Sequence, residues 1–447
     1  MSSLRFIPAI IMSAVVAGCG SSSSDDTSAT YTSSYIQLYN GSSNSALTYL
    51  TLTDSSDYSV VAGSAGYTDA TSLVSYTPAS YTMSLSRLNS AGDSVDVLES
   101  DIKLSQSYKH LFLLDGDYAS PNLLELSFLR DDSLSSSFKL YVVDLLPDNQ
   151  SYDVYLADSD SSFDDATLVA TTSYRNISEP QTLETGNYTI YLTTAGSRDV
   201  LFSSQSYSFN YLTEYVLVPR PASGPLEGNI AVDVINNTTT VTHLTDVTAE
   251  AQFRVYNSID QYSSSDIYLN NTAVASALSA DNFSDYIRTD AGDFRLSAQS
   301  NGTNWLSNTL LTLNQGQSKA VVLYLNSENK PSAIVTEESL LPQIYDFDIN
   351  VVNTITDYST LSLYFIAPGE TIDTTDYYIS SLGRGAQTDI SLPAGEYRIF
   401  LVHTDTNKNK TLLAESELQA LISGSNYLLV AEADTYAATG YKLSLLK

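Results

Sequence analysis

The sequence has little of what enzymes commonly use for chemistry. It holds one cysteine, one tryptophan, three methionines and three histidines. A single cysteine rules out an intrachain disulfide and any cysteine-cluster metal site. His110, His243 and His403 lie far apart in sequence, and no His-Glu-x-x-His, Cys-x-x-Cys, Gly-x-Ser-x-Gly or phosphate-cradling glycine loop occurs. Positive charge is also scarce: 20 Lys plus Arg face 51 Asp plus Glu, a formal net charge of −31. Such a surface repels phosphate backbones and argues against nucleic acid as a partner. After the N-terminal segment no stretch approaches the roughly 18 uninterrupted apolar residues of a membrane helix. Helical periodicity is nearly missing too, and the one short candidate, Leu412 to Leu421, reads better as a loop.

What is present is strand-forming. Ser, Thr and Asn take the polar positions that Lys and Glu hold in helical proteins, and 33 tyrosines accompany them. The stretch Leu392-Pro-Ala-Gly-Glu-Tyr-Arg-Ile-Phe-Leu-Val-His403 alternates Tyr397, Ile399 and Leu401 with Glu396, Arg398 and Phe400, the period of a strand with one buried face. The same arrangement occurs at Gly186 and Tyr188, at Gly292 and Phe294, and at Ala79 and Tyr81. The steps from Tyr81 to Tyr188, Phe294 and Tyr397 are 107, 106 and 103 residues. A period this long is a domain, since solenoid units run to roughly 20–50 residues. Gly395, just before its strand, is expected to sit at a turn with positive φ.

Each copy opens with an apolar strand ending in Asn or Asp, namely Tyr35 to Asn40, Phe138 to Asp144, Phe253 to Asn257 and Phe347 to Asn353. A second strand, a polar connection, the Gly-Tyr strand, a further apolar strand and a closing strand follow. Short alternating strands separated by Gly, Pro, Asn and Asp predict an all-β chain of tandem antiparallel immunoglobulin-like β-sandwich domains. The boundaries are a signal peptide at 1–18, a flexible Ser-rich tether at 19–31, sandwiches at 32–132, 133–238, 248–338 and 343–447, and a linker at 239–247. With a core in each copy and short polar connections, the four copies are expected to stand in an extended row.

At the N-terminus, Arg5 precedes the apolar run Phe6 to Val16 and the small residues Ala17-Gly18-Cys19, the layout of a secretion signal. Val16-Ala17-Gly18-Cys19 resembles the bacterial lipobox. That resemblance implies cleavage between Gly18 and Cys19, a diacylglycerol on the Cys19 thiol and, with Gly20 rather than Asp next, an outer-membrane address. The alternative is a plain secretory peptide with an incidental cysteine.

Val142-Val-Asp-Leu-Leu-Pro-Asp148 followed by Tyr152-Asp-Val-Tyr-Leu156, and Val255-Tyr-Asn257 followed by Asp266-Ile-Tyr-Leu269, resemble the opening of the bacterial domain of unknown function 4397. The resemblance extends over four tandem copies and implies an exported, β-rich protein; it brings no activity with it. Copy one lacks the Asp-x-Tyr strand, and copy four has Ser362 in place of the Asp.

No catalytic residue, cofactor or metal site is expected from these motifs. Asp158 to Asp165 and Asp405 to Asn409 faintly resemble calcium loops, but the second has Lys408 within it and Ser416 where a bidentate Glu should fall, so both read as hairpin turns. His110 and His403 read as structural residues. Tyr81, Tyr188, Phe294 and Tyr397, with Gly186, Gly292 and Gly395, are structural repeat positions. The expectation is a non-enzymatic envelope lipoprotein on the outer membrane, held through its lipid and acting as a display, adhesion or binding array for a protein or polysaccharide. The alternatives are an envelope component that assists assembly of another complex and, third, a polysaccharide-active enzyme.

Overall fold

The computed structural model describes residues 33–447 apart from 43–46, 89–92, 118–119, 224–228, 340–345 and 423–425. The first copy is a sandwich of eight strands: β1 (Ser34–Asn40), β2 (Thr48–Thr53), β3 (Ser59–Ala65), β4 (Val74–Tyr76), β5 (Ser80–Leu88), β6 (Ser94–Lys103), β7 (Tyr108–Asp115) and β8 (Asn122–Leu129). One sheet runs β4-β1-β7-β8 and the other β3-β2-β5-β6. Every pairing is antiparallel except β1 with β7, which run parallel from Tyr35 opposite Lys109 to Asn40 opposite Leu114.

The other copies repeat both sheets in the same order. The strands equivalent to β1 are Ser137–Val142, Ala251–Asn257 and Asp346–Asn353, and those equivalent to β7 are Glu214–Pro221, Ser318–Leu325 and Tyr427–Ala433. All three of these pairs are parallel as well. In copies two and four the β6 position is divided, into Val200–Ser203 with Tyr207–Phe209 and into Lys410–Glu415 with Gln419–Leu421. The chain is therefore all-β, built from tandem β-sandwiches. The candidate helix or loop at Leu412 to Leu421 consists of these last two strands. Within the expected linker at 239–247, Thr242–Leu244 pairs with Ile230–Ile235 and extends the second copy's sheet.

Between its two sheets each copy has its own core, for example Leu38, Leu50, Met83, Leu85 and Phe112 in the first. Two further cores lie between copies and correct the expected row. Tyr39, Leu111, Leu113, Leu126 and Phe128 of copy one pack against Tyr141, Val143, Leu145, Val216 and Val218 of copy two. Tyr256, Ala320, Val322 and Ile334 of copy three pack against Val352, Leu428 and Val430 of copy four. Both interfaces use the outer faces of the β1–β7 sheets. The cause is visible in the β7-type strands: Leu111-Phe-Leu-Leu114 and Ala320-Val-Val-Leu323 are buried on both faces, the pattern of a strand with a packed layer on each side. Copies two and three meet more sparsely, through Gln205 on Gln315 at 3.5 Å and the small cluster Ala222, Ala231 and Ala249.

Candidate functional site

The repeat positions fall into one structural device. Tyr81, Tyr188 and Tyr397 each sit near the start of a β5-type strand and donate their hydroxyl to the carbonyl four residues back, on Thr77, Glu184 and Pro393, at 2.9 Å each. Phe294 occupies the same place without a hydroxyl. Each tyrosine thus straps the turn that enters its own strand. The ring lies over the preceding glycine: a Cβ on Gly186 or Gly395 would lie 3.4 Å from the ring of Tyr188 or Tyr397, and on Gly292 3.7 Å from Phe294. The expected positive φ at Gly395 is corrected, since neither Gly186 nor Gly395 has one. A methyl at these places would touch the ring at ordinary contact distance, and a larger branched side chain would press on it.

The Asp of the Asp-x-Tyr stretch is also structural. Asp153 accepts from Thr171 Oγ1 at 2.5 Å and from the Gly196 amide at 2.8 Å, tying its strand to a neighbouring strand and a hairpin. Asp266 accepts from the Ala277 amide in copy three, and Ser362 donates to the Ser380 carbonyl in copy four. Asp405 accepts from the Asn407 and Asn409 amides and from Asn409 Nδ2, closing a hairpin; these donors hold its carboxyl below the usual range. Gly18 and Cys19 lie outside the described residues.

The histidines are held by the fold. His110 bridges Glu125 at 2.6 Å and the Ser105 amide at 3.2 Å, and His403 stacks on Tyr358 with ring centres 4.4 Å apart. His243 belongs to the interface between copies one and two, where Asp233 gathers three side chains through four bonds. Its oxygens receive Tyr39 Oη at 2.6 Å, Arg220 Nε and Nη2 at 2.7 and 3.0 Å, and His243 Nδ1 at 2.9 Å. Burial alone would push the Asp233 carboxyl up, but His243 and Arg220 hold it below the ordinary carboxylate range. Elsewhere on the same interface the fully buried Lys109 ammonium reaches Asn237 Oδ1 at 2.8 Å, and desolvation lowers its pKa to about 8.

The second pair repeats this plan with different partners. Tyr256, one residue before Asn257 as Tyr39 is before Asn40, donates to Glu432 Oε1 at 2.8 Å. Two residues earlier, Gln37 and Arg254 correspond: Gln37 Nε2 reaches the Thr238 carbonyl at 2.9 Å, and Arg254 reaches the Lys447 carbonyl at 2.8 Å. Arg254 also grips Glu338 and lies 3.8 Å above the Phe283 ring. The odd copies supply the Tyr, while the even copies carry Val143 and Val352 at that place, so the molecule is a doubled pair. This was legible only in the two-sided apolar β7-type strands.

The faces turned away from the pairs belong to the β2–β5 sheets. Over this face in copy four lies a cavity of about 630 Å³, lined by Ile366, Pro368, Phe400, Val402, Leu412 and Leu418 among others, with Arg398 paired to Glu415 at 2.8 Å on its rim. A larger groove of about 670 Å³ lies where copies two and three meet. Among the described residues no group of three or more His, Cys, Asp or Glu is gathered as a metal ion would need.

These features define a tandem β-sandwich protein whose copies are fused in pairs. Residues 251–364, the third copy and the first strands of the fourth, match the family described as Domain of unknown function (DUF4397). Among solved structures the chain is similar to the fimbrial anchor protein Mfa2 from Porphyromonas gingivalis, at 10% identity and TM-score 0.18, covering 45% of this chain and 97% of that one. It is also similar to BcpA, the major pilin subunit of Bacillus cereus, at 11% identity and TM-score 0.13, covering 66% and 98%. No curated protein matches it.

Proposed function

We propose that the chain is a non-enzymatic bacterial envelope lipoprotein, anchored by Cys19 to the outer membrane, that presents binding surfaces on two rigid two-domain blocks. The observation that carries this reading is the pairing itself. The acids, cations and histidines at depth hold copies to one another, tie strands within a copy or close turns, and the β2–β5 faces are left outward on both blocks. Packing of copy on copy also favours the second reading, a component that stabilises another envelope complex, because outward sheet faces suit docking as well as display. The open cavity over copy four keeps ligand binding first.

Two measurements test this. Wild-type protein should incorporate labelled palmitate and fractionate with the outer membrane, and Cys19→Ser should do neither. Protease added to intact cells should degrade a surface-displayed protein; full protection would move the assembly reading ahead. A membrane-bound, palmitate-labelled Cys19→Ser protein would sink the lipid anchor.

A further inference from the structure

Copies two and four carry the same flap on their outward face, and only one flap is filled. In copy two the connection after the β2-type strand ends in a short turn, Phe163–Asp165, that lays Phe163 on the sheet. Its ring centre lies 5.3 Å from Tyr155 and 5.1 Å from Tyr191, at 86° and 49°, and the Arg198 guanidinium covers it at 4.5 Å. Arg198 also donates to the Phe163 carbonyl at 3.1 Å and to Asp164 at 3.4 Å. The whole forms an aromatic ring seated on two others beneath a cation.

Copy four keeps this frame without the Phe163 ring. There Tyr364 is flanked by Tyr378, ring centres 5.8 Å apart, and by Lys410 at 5.6 Å, and the open side of the frame is at Phe400. Tyr364 and Phe400 stand at the places of Tyr155 and Tyr191, in each case facing one another across the two central strands. Lys410 stands where Arg198 does, two residues before the strand residue paired with Val402 or Thr193. It keeps the same partner, reaching Asp373 at 2.9 Å as Arg198 reaches Asp164. The turns match as well, since the Thr374 amide donates to Thr371 as the Asp165 amide does to Ser162. Besides the exchanges of Tyr191 for Phe400 and Arg198 for Lys410, the flap itself changes: eight residues past the tyrosine, Phe163 is replaced by Ile372. The cavity of about 630 Å³ lies under this flap.

Resting on the reading of the chain as a binding protein, we propose that this cavity takes an aromatic side chain from a partner protein, seated against Phe400 as Phe163 is against Tyr191. In copy two the chain supplies this ring itself, with the half-buried Phe163, whereas copy four has Ile372 at that place, so an aromatic occupant there comes from outside. The space exceeds one ring and admits the backbone that carries it, with Arg398, Glu415 and Glu370 at the rim to meet peptide groups.

The test uses the full mature chain made soluble by Cys19→Ser, with N-acetyl-para-fluorophenylalanine amide followed by fluorine NMR. Saturable broadening is expected, and capped tryptophan should displace the probe about three- to tenfold more effectively than capped cyclohexylalanine, because stacking adds to apolar burial. Ile372→Phe should refill the flap and remove binding. Leu412→Glu, at an exposed position outside the core, should weaken it about tenfold by placing a charge on the apolar lining. Binding unchanged in both variants, no binding to the parent, or equal displacement by cyclohexylalanine would overturn the proposal. On cells, Ile372→Phe protein should remain as protease-accessible as the parent, so a failed pocket and a failed display reading give different results.

Discussion

At the residue scale, the four strand-ending Asn and Asp positions invite a comparison within the molecule. Asn40, Asp144, Asn257 and Asn353 each accept the amide two residues on, at 2.8–3.2 Å. The three asparagines also donate through Nδ2, to Ala65, Tyr262 and Gly383 carbonyls among others. Asp144 has no such proton to give: its Oδ2 is buried without a partner, and burial raises its pKa to about 6. The folded protein therefore holds a proton that the unfolded chain has lost, and stability falls as pH rises from about 4 through 6. Asp144→Asn should raise stability at pH 7.5 by about 1–2 kcal/mol and change it little at pH 4, read from urea midpoints. Lys109 gives the opposite slope. With its folded pKa lowered to about 8 from 10.5, the unfolded chain binds more protons between those values, so stability rises with pH there. Lys109→Met should flatten that rise, and at pH 7 it should stabilise by about 1 kcal/mol, since an apolar replacement avoids burying the charge. An unchanged slope between pH 8 and 10 in Lys109→Met would refute the assignment.

At the element scale, what was legible followed burial. The strands of types β1, β2, β5, β7 and β8 could be read because apolar side chains alternate or run continuously in them. Types β3 and β4 went unread as a polar connection, and type β6 went unread as well, reading as a loop at Leu412 to Leu421 in copy four. Each is an edge or near-edge strand with few inward residues; Val74–Tyr76 and Ile287–Thr289 have three residues each. The Gly-Tyr entry was legible as a repeated device, but its physics was not, because glycine in sequence does not distinguish a φ requirement from a ring packed over it. The packed ring makes its own prediction. Gly395→Ala should cost little, as Ala79 already stands there in copy one, whereas the branched side chain of Gly395→Val should push the Tyr397 ring off the Pro393 carbonyl. Tyr397→Phe removes that bond alone, at about 1 kcal/mol. The two changes share one contact, so the double variant should be less destabilised than the sum by at least ~0.5 kcal/mol in chemical denaturation. Strict additivity would mean that the glycine serves something other than the strap.

At the scale of the whole molecule, the pairing sets how the chain unfolds. A sandwich of about 100 residues can fold alone, but copies one and two share a core that neither completes by itself: Phe128 stacks on Tyr141 at 4.7 Å, Tyr39 depends on Asp233, and Arg175 of copy two reaches Asp115 and the Leu123 carbonyl of copy one. Copies three and four are joined in the same way, by Tyr256 on Glu432, Arg254 on the Lys447 carbonyl and Lys442 on Asp281. The second and third copies share far less, a glutamine pair and three alanines. Cooperativity follows buried contact, so calorimetry should resolve two transitions, one per pair, rather than four independent ones or a single one. Tyr39→Ala should lower only one of them and Tyr256→Ala only the other. Each loses a buried ring and a bond to a carboxylate on the neighbouring copy, a loss of about 3–5 kcal/mol for a large side chain in a packed core. If each substitution instead split its transition into two, with one component at the parent temperature, the copies would be folding separately and the shared cores would be docking contacts only. If both substitutions lowered every transition, the sparse junction between copies two and three would be coupling the blocks, and the array would be one rigid body.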